Sequence, residues 1–166
     1  MKIVALRMYK GKALPSFDCG QDELNDFYYR YASQNDRKGF GRTYLAFEGD
    51  ELVGFFTLAA AEITCDELRK AMKKGLPRYP VPAYRIARFA VAKEKQGKGY
   101  GGEMLKNAIF RILEASFNAG IHLVVVDAKP SAAWFYEHYG FIRLQEDRNI
   151  YALSLATVMK CLGQGL

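Results

Sequence analysis

Residues 85–102 read RIARFAVAKEKQGKGYGG, and this stretch decides the fold. An apolar, strand-like run ends at Ala92 and a short charged turn follows. Gln96-x-x-Gly99-x-Gly101 then opens an amphipathic segment, Gly102 to Phe117, that reads as a helix. Glycines at a strand-to-helix junction let backbone N–H groups approach a ligand with no Cβ in the way. The helix N-terminus adds unpaired donors and partial positive charge, which together hold a pyrophosphate. The junction therefore reads as an anion cradle for a phosphorylated cofactor.

Spacing narrows the cofactor. Gly97-x-Gly99-x-x-Gly102 formally matches the dinucleotide fingerprint, and Asp127 follows the next strand-like run, Ile121 to Val126. In a dinucleotide fold, however, the first glycine leaves the strand directly, whereas four residues lie between Ala92 and Gly97. Only 64 residues remain after Gly102, too few for the usual doubly wound sheet. The Gly-Lys-Ser/Thr ending of a nucleotide-hydrolase phosphate loop is absent.

Gln-x-x-Gly-x-Gly after a strand resembles instead the acyl-CoA-binding motif of the GNAT superfamily of N-acyltransferases. Downstream, Ala132-Ala133-Trp134-Phe135-Tyr136-Glu137-His138-Tyr139-Gly140-Phe141 resembles the second signature of that superfamily, a short helix running into a Gly-Phe strand start. A helix and one strand join the two motifs, in the order and at about the distance the superfamily has them.

Composition bounds the rest. A chain of 166 residues is expected to make one domain, 1–166, with a real core. Half the residues are hydrophobic and a quarter charged, as in an ordinary soluble protein. No apolar run approaches the ~18 residues of a membrane span, and Met1 to Arg7 is too soon charged for a signal peptide. It reads as an edge strand. Cys19, Cys65 and Cys161 have no metal spacing and leave an odd thiol, as expected in a reduced cytoplasm. The two histidines lie far apart, which argues against zinc. The net charge of +6 suits a phosphorylated ligand without requiring nucleic acid. Two basic groups stand out: Arg69, Lys70, Lys73, Lys74 and Arg78, then Arg30, Arg37, Lys38 and Arg42.

Along the chain, Lys2 to Tyr9 is a weakly alternating strand. Gln21 to Gln34 is an amphipathic helix whose stripe of Leu24, Phe27, Tyr28 and Tyr31 is read as core. Arg42 to Phe47 and Leu52 to Ile63 form a hairpin turning at Gly49-Asp50. Cys65 to Lys73 reads as a helix stopped by Gly75 and the prolines at 77, 80 and 82. Strand Tyr84 to Ala92, the Gly102 helix, strand Ile121 to Val126, a helix at Ser131, and strands Phe141 to Leu144 and Ile150 to Leu155 complete the chain. This order implies an α/β fold. A central mixed, mostly antiparallel sheet carries one right-handed parallel β-α-β crossover and helices on both faces. Ligand is expected at the carboxyl ends of the two parallel strands, with Gln96 to Gly102 next to Asp127-Ala128-Lys129.

The resemblance implies a cofactor and roles. Acetyl-CoA would pair its pantetheine with the backbone of Phe89, Ala90 and Val91. Its pyrophosphate would rest on Gln96, Gly97, Lys98, Gly99, Tyr100, Gly101 and Gly102, with Ala133 and Phe135 adding contacts. Tyr136 holds the place of the GNAT tyrosine near the sulfur. A phenol of pKa about 10 can donate to a thiolate whose acid form resembles cysteine, about 8.5. A buried tyrosine's ordinary role, packing, stands beside this one. Ala83 to Ala92 carries no carboxylate or histidine where some GNAT enzymes have a glutamate base, and Glu62 is the remaining candidate. Deprotonating a lysine of pKa about 10.4 at neutrality costs roughly 4–5 kcal/mol, against about 1 kcal/mol for an α-amine near 7.7–8.0. A site without a strong base leans towards an α-amine.

Phe17-Asp18-Cys19-Gly20 with Leu24-x-x-Phe27 and Ala32, Arg42-Thr43-Tyr44, and Leu76-Pro77-Arg78-Tyr79-Pro80-Val81-Pro82 leading into Ala87-Arg88-Phe89-Ala90-Val91 narrow the likeness. Together they resemble the GNAT toxins of type II toxin–antitoxin pairs, which acetylate aminoacyl-tRNA. Phe89 and Lys129-Pro130-Ser131 depart from the toxin pattern. The resemblance implies tRNA contacts by the basic groups, with Arg78 and Arg88 at the mouth of the site. It also implies a homodimer and a ribbon-helix-helix antitoxin. Two alternatives stay open: an acetyltransferase for a small-molecule or protein amine, and a non-catalytic acyl-CoA-binding module.

Overall fold

Among the described residues, seven strands form one sheet in the order β1-β2-β3-β4-β5-β7-β6. They are β1 (Lys2–Ala5), β2 (Arg42–Glu48), β3 (Glu51–Ile63), β4 (Val81–Val91), β5 (Leu123–Asp127), β6 (Ile142–Gln145) and β7 (Arg148–Ser154). The sheet is mixed and mostly antiparallel, with one parallel pair. Neighbouring strands β4 and β5 are joined through a long helix, the expected crossover. This computed structural model describes residues 1–64, 68, 75, 78 and 80–163. The helix expected from Cys65 to Lys73, most of the first basic group (Arg69, Lys70, Lys73, Lys74), and Leu76, Pro77 and Tyr79 lie outside the described residues.

The chain divides into two compact units, Met1–Ala59 with Ile86–Arg111, and Ala60–Arg85 with Ile112–Leu166. In the first, β1, β2 and β3 pair antiparallel, with Gly49 at φ +58° in the hairpin turn. The strand expected up to Tyr9 stops at Ala5, where Leu6–Met8 close a 3-10 turn that buries Leu6. The helical segment runs as α1 (Asp22–Asp26), a π turn (Phe27–Tyr31) and α2 (Ala32–Lys38). The π turn corrects the expected stripe. It inserts a residue into the 3.6-residue period, so Phe27 and Tyr28 are buried while Tyr31 is half exposed. Gly39 at φ +78° ends the helix, with the Phe40 N–H on Asn35 O at 3.0 Å.

Alternation along β2 and β3 gives this unit two faces. Leu45, Phe47 and Phe55 meet Phe17, Phe27 and Tyr28 beneath the first helices. On the opposite face Tyr44 stacks on Phe56 at 5.2 Å, and the Arg111 guanidinium of α3 (Tyr100–Ser116) lies 4.4 Å from the Tyr44 ring centroid. Buried Asp36 ties α2 to its surroundings. Its Oδ1 accepts from Arg7 Nη2 at 3.0 Å, and its Oδ2 from the Thr43 N–H at 2.9 Å.

In the second unit β5, β7 and β6 pair antiparallel over a core of Ile63, Leu68, Val81, Leu123, Val125, Leu144 and Ala152. A helix not expected from sequence, α5 (Leu155–Cys161), follows β7. Leu-Ala-Thr-Val-Met reads as more strand by composition. Backbone pairing decides otherwise: the Leu155 N–H turns to His122 O at 3.1 Å and the next residues close on themselves.

Candidate active site

The cradle begins where β4 leaves the sheet. The Ala92 N–H donates to Val53 O at 2.8 Å, and a 3-10 turn, Lys93–Lys95, closes with Lys95 N–H on Ala92 O at 2.8 Å. Gly97 (φ +71°) and Gly99 (φ +89°) then take the left-handed conformation that a side chain disfavours. Helix α3 starts at Tyr100, two residues earlier than expected, because Gly99 O already accepts from the Glu103 N–H at 3.2 Å. The N–H groups of Tyr100, Gly101 and Gly102 precede that bond, at the helix end where amides have no intrahelical acceptor. Lys98 is exposed in the same turn. Two glycines in the left-handed conformation, three leading amides and a lysine fit a diphosphate.

The Gln96 side chain ties the turn back to the loop at Cys19 and to the end of β4. Its Nε2 donates to Cys19 O at 3.0 Å and to Val91 O at 3.0 Å, so both amide hydrogens stay inside the protein. The side chain fastens the turn through its amide nitrogen. Lys95 is held by Glu51 at 2.7 Å in a surface ion pair, and the hydrogen bond to that carboxylate raises its pKa.

Phe89 and Val91 are half-buried and Ala90 is buried. Close beneath lies a residue that the sequence reading passed over. A Cβ on Gly54 would sit 2.5 Å from Ala90 O and 2.6 Å from Met104 Sδ, so only glycine lets β3, the end of β4 and α3 approach this closely. A lone glycine inside a strand pattern is the sequence signal for such an approach. Arg88 lies with its guanidinium carbon 4.9 Å from the Phe27 ring centroid and donates from Nη1 to Ala87 O at 2.7 Å. Its Nε is buried with no hydrogen-bond partner among the described residues.

The second signature lies in the other unit. Pro130–Ala132 make a 3-10 turn that leads into α4 (Ala133–His138). Gly140 at φ +87° ends it, and the Phe141 N–H bonds back to Tyr136 O at 3.1 Å. This cap explains the Gly-Phe pair: glycine supplies the turn, and Phe141, fully buried, packs edge-on against Tyr136 at 5.6 Å. Phe135 flanks Tyr136 at 5.1 Å, and both Ala133 and Phe135 are half-buried. Tyr136 itself is buried, and loss of hydration pushes its phenol pKa well up. It is a neutral O–H donor across the physiological range.

Residues 39–143 match the acetyltransferase (GNAT) domain family. The chain belongs to the GNAT acetyltransferases. It is 30% identical over 127 residues to a tRNA-acetylating toxin of Mycobacterium tuberculosis H37Rv, covering 76% of each chain. The fold superposes on AtaT complexed with acetyl-methionyl-tRNAfMet with a TM-score of 0.85, at 25% identity and 98% coverage of both. AtaTR bound with AcCoA gives 0.82, at 26% identity and 97% coverage of both. The GNAT fold expected from the two signatures is thus the one observed.

The remaining candidates of this GNAT chain are placed as follows. Glu62 is exposed near the end of β3, and Arg78 is exposed. Asp127 pairs with Arg85 of β4 within the second unit. Among the described residues no helix is long and apolar enough to cross a membrane.

Proposed function

We propose that this chain works in the cytoplasm as a single-domain N-acetyltransferase that moves an acetyl group from acetyl-CoA to the α-amine of aminoacyl-tRNA. The observation that carries this reading is the likeness, over nearly the whole chain, to a protein solved with acetyl-methionyl-tRNAfMet. A second GNAT relative was solved with AcCoA, and the strand–turn–helix geometry suits that ligand.

Acetyl-CoA brings a thioester, an acyl group already activated toward an amine. The chain's part is to hold and to donate. The amides of Tyr100, Gly101 and Gly102 and the Lys98 ammonium bind the diphosphate, while Gly97 and Gly99 keep the approach open. Phe89, Ala90 and Val91 offer backbone groups to the pantetheine arm, and Ala133 and Phe135 line it. Holding both reactants in register is worth several kcal/mol before any proton moves. Tyr136 would offer a hydrogen bond from its hydroxyl to the departing sulfur, while the proton that the amine loses on forming the amide would neutralise the thiolate. The chain needs no strong base: an α-amine beside an ester is largely neutral at physiological pH, unlike a lysine. Arg78, Arg88 and the group at Arg30, Arg37, Lys38 and Arg42 contact the tRNA backbone. As in the toxin branch, two copies pair and a ribbon-helix-helix antitoxin silences them.

Incubation with labelled acetyl-CoA and bulk charged tRNA tests the reading. Label should enter an acid-precipitable fraction that mild alkali releases as N-acetyl amino acid. Label in a free small amine, or in protein, would overturn it.

A further inference from the structure

The loop ahead of α1 is built more tightly than an exposed connection requires. Asp18 Oδ1 accepts from the Gly20 N–H at 2.7 Å and from Asn25 Nδ2 at 2.8 Å. Asn25 spends its other end on the same loop, its Oδ1 accepting from the Cys19 N–H at 3.0 Å. Gly20, at φ +78°, allows the turn. The backbone of this knot then makes two long-range bonds. Asp18 O accepts from the Lys93 N–H at 2.8 Å, and Cys19 O accepts from Gln96 Nε2 at 3.0 Å. Both partners belong to the turn that leads β4 into α3.

We infer that the Asp18–Asn25 knot is the positioning element of the cofactor turn, fixing residues 96–102 through Lys93 and Gln96 so that the leading amides of α3 are aimed before ligand arrives. The inference rests on the acetyl-CoA reading above and adds residues that act through the turn. The physical reason is rigidity. A turn with Gly97 and Gly99 has wide backbone freedom, and each glycine ordered on binding costs affinity. Two bonds from a pre-formed loop remove that freedom in advance. Oδ1 of Asp18 is an acceptor in both bonds, so an asparagine at 18 can make the same pair. An aspartate at 25 cannot, because it would set two carboxylates against each other at the Asp18 contact.

The test uses the full chain and coenzyme A in a calorimeter, with thermal unfolding and amide exchange at 97–102 measured alongside. Asn25→Asp should weaken coenzyme A about tenfold, the scale of one lost charge-assisted hydrogen bond. Exchange at 97–102 should quicken, and kcat at saturating acetyl-CoA and the acceptor KM should stay near the parent values. Asp18→Ala, a truncation at an exposed position, should do the same and covers the case in which Asn25→Asp fails to fold. Asp18→Asn should restore both affinity and slow exchange. Unchanged affinity in Asp18→Ala and Asn25→Asp, or equal losses in kcat and acceptor KM, overturns the positioning role alone. A parent chain that takes up no coenzyme A overturns the cofactor reading and the positioning role with it.

Discussion

Tyr136 shows how much of a residue's chemistry is set by its surroundings. Burial against Phe135 and Phe141 raises its pKa, which keeps the hydroxyl hydrogen in place and removes phenolate from the site. Such a group serves as a donor and not as a base. Tyr136→Phe should therefore lower kcat by about 10²–10⁴, with coenzyme A affinity by calorimetry unchanged. Full turnover in that variant would remove Tyr136 from the chemistry, whereas a parent chain that binds coenzyme A without turnover would leave the acyl-CoA-binding alternative. The sequence placed this tyrosine through its signature. Gly140 hinted at a helix end, but the bond from the Phe141 N–H to Tyr136 O and the packing of the Phe141 ring on Tyr136 appear only once the backbone has turned.

At the scale of elements, the site depends on three pieces meeting at Gly54. Strand β3, the end of β4 and α3 approach until no Cβ fits between Ala90 O and Met104 Sδ. Gly54→Ala should cost about 1–3 kcal/mol by overpacking, read as a lower midpoint in urea. The strain should fall on Ala90, so coenzyme A should also bind more weakly. Strand and helix positions near the cradle were legible because alternation and amphipathic spacing act over short distances. The π turn at Phe27–Tyr31 and α5 were not. The first is selected by packing Phe27 and Tyr28 against Phe55, the second by a bond from Leu155 to His122. Both depend on residues distant in sequence.

The molecule as a whole carries +6, and under the proposed function that charge meets a polyanion. The KM for charged tRNA should rise steeply with salt, its logarithm linear in log salt, while coenzyme A binding changes less. A flat response would favour a small amine as acceptor. Stability should fall in alkali. Tyr28 and Tyr136, one in each unit, both have pKa values raised by burial above the ordinary value of about 10. Below that value folded and unfolded chains hold the same protons and neither tyrosine contributes a slope. Above it the unfolded chain releases them and the folded chain does not, so each tyrosine removes about 1.4 kcal/mol per pH unit. Urea titrations from about pH 8 to 11 should show this decline, and Tyr136→Phe should remove one tyrosine's share of it.

The sequence by itself determined the strand–turn–helix with its glycines, the Phe-Tyr signature and the family they denote, since local spacing and backbone freedom are written residue by residue. Only the tertiary structure decided that Gln96 bonds across to Cys19, that Gly54 is a point of contact, and that the loop of Asp18 and Asn25 is bonded to the turn after β4. Those facts are hydrogen bonds and close approaches between segments up to 77 residues apart, and no local pattern encodes them.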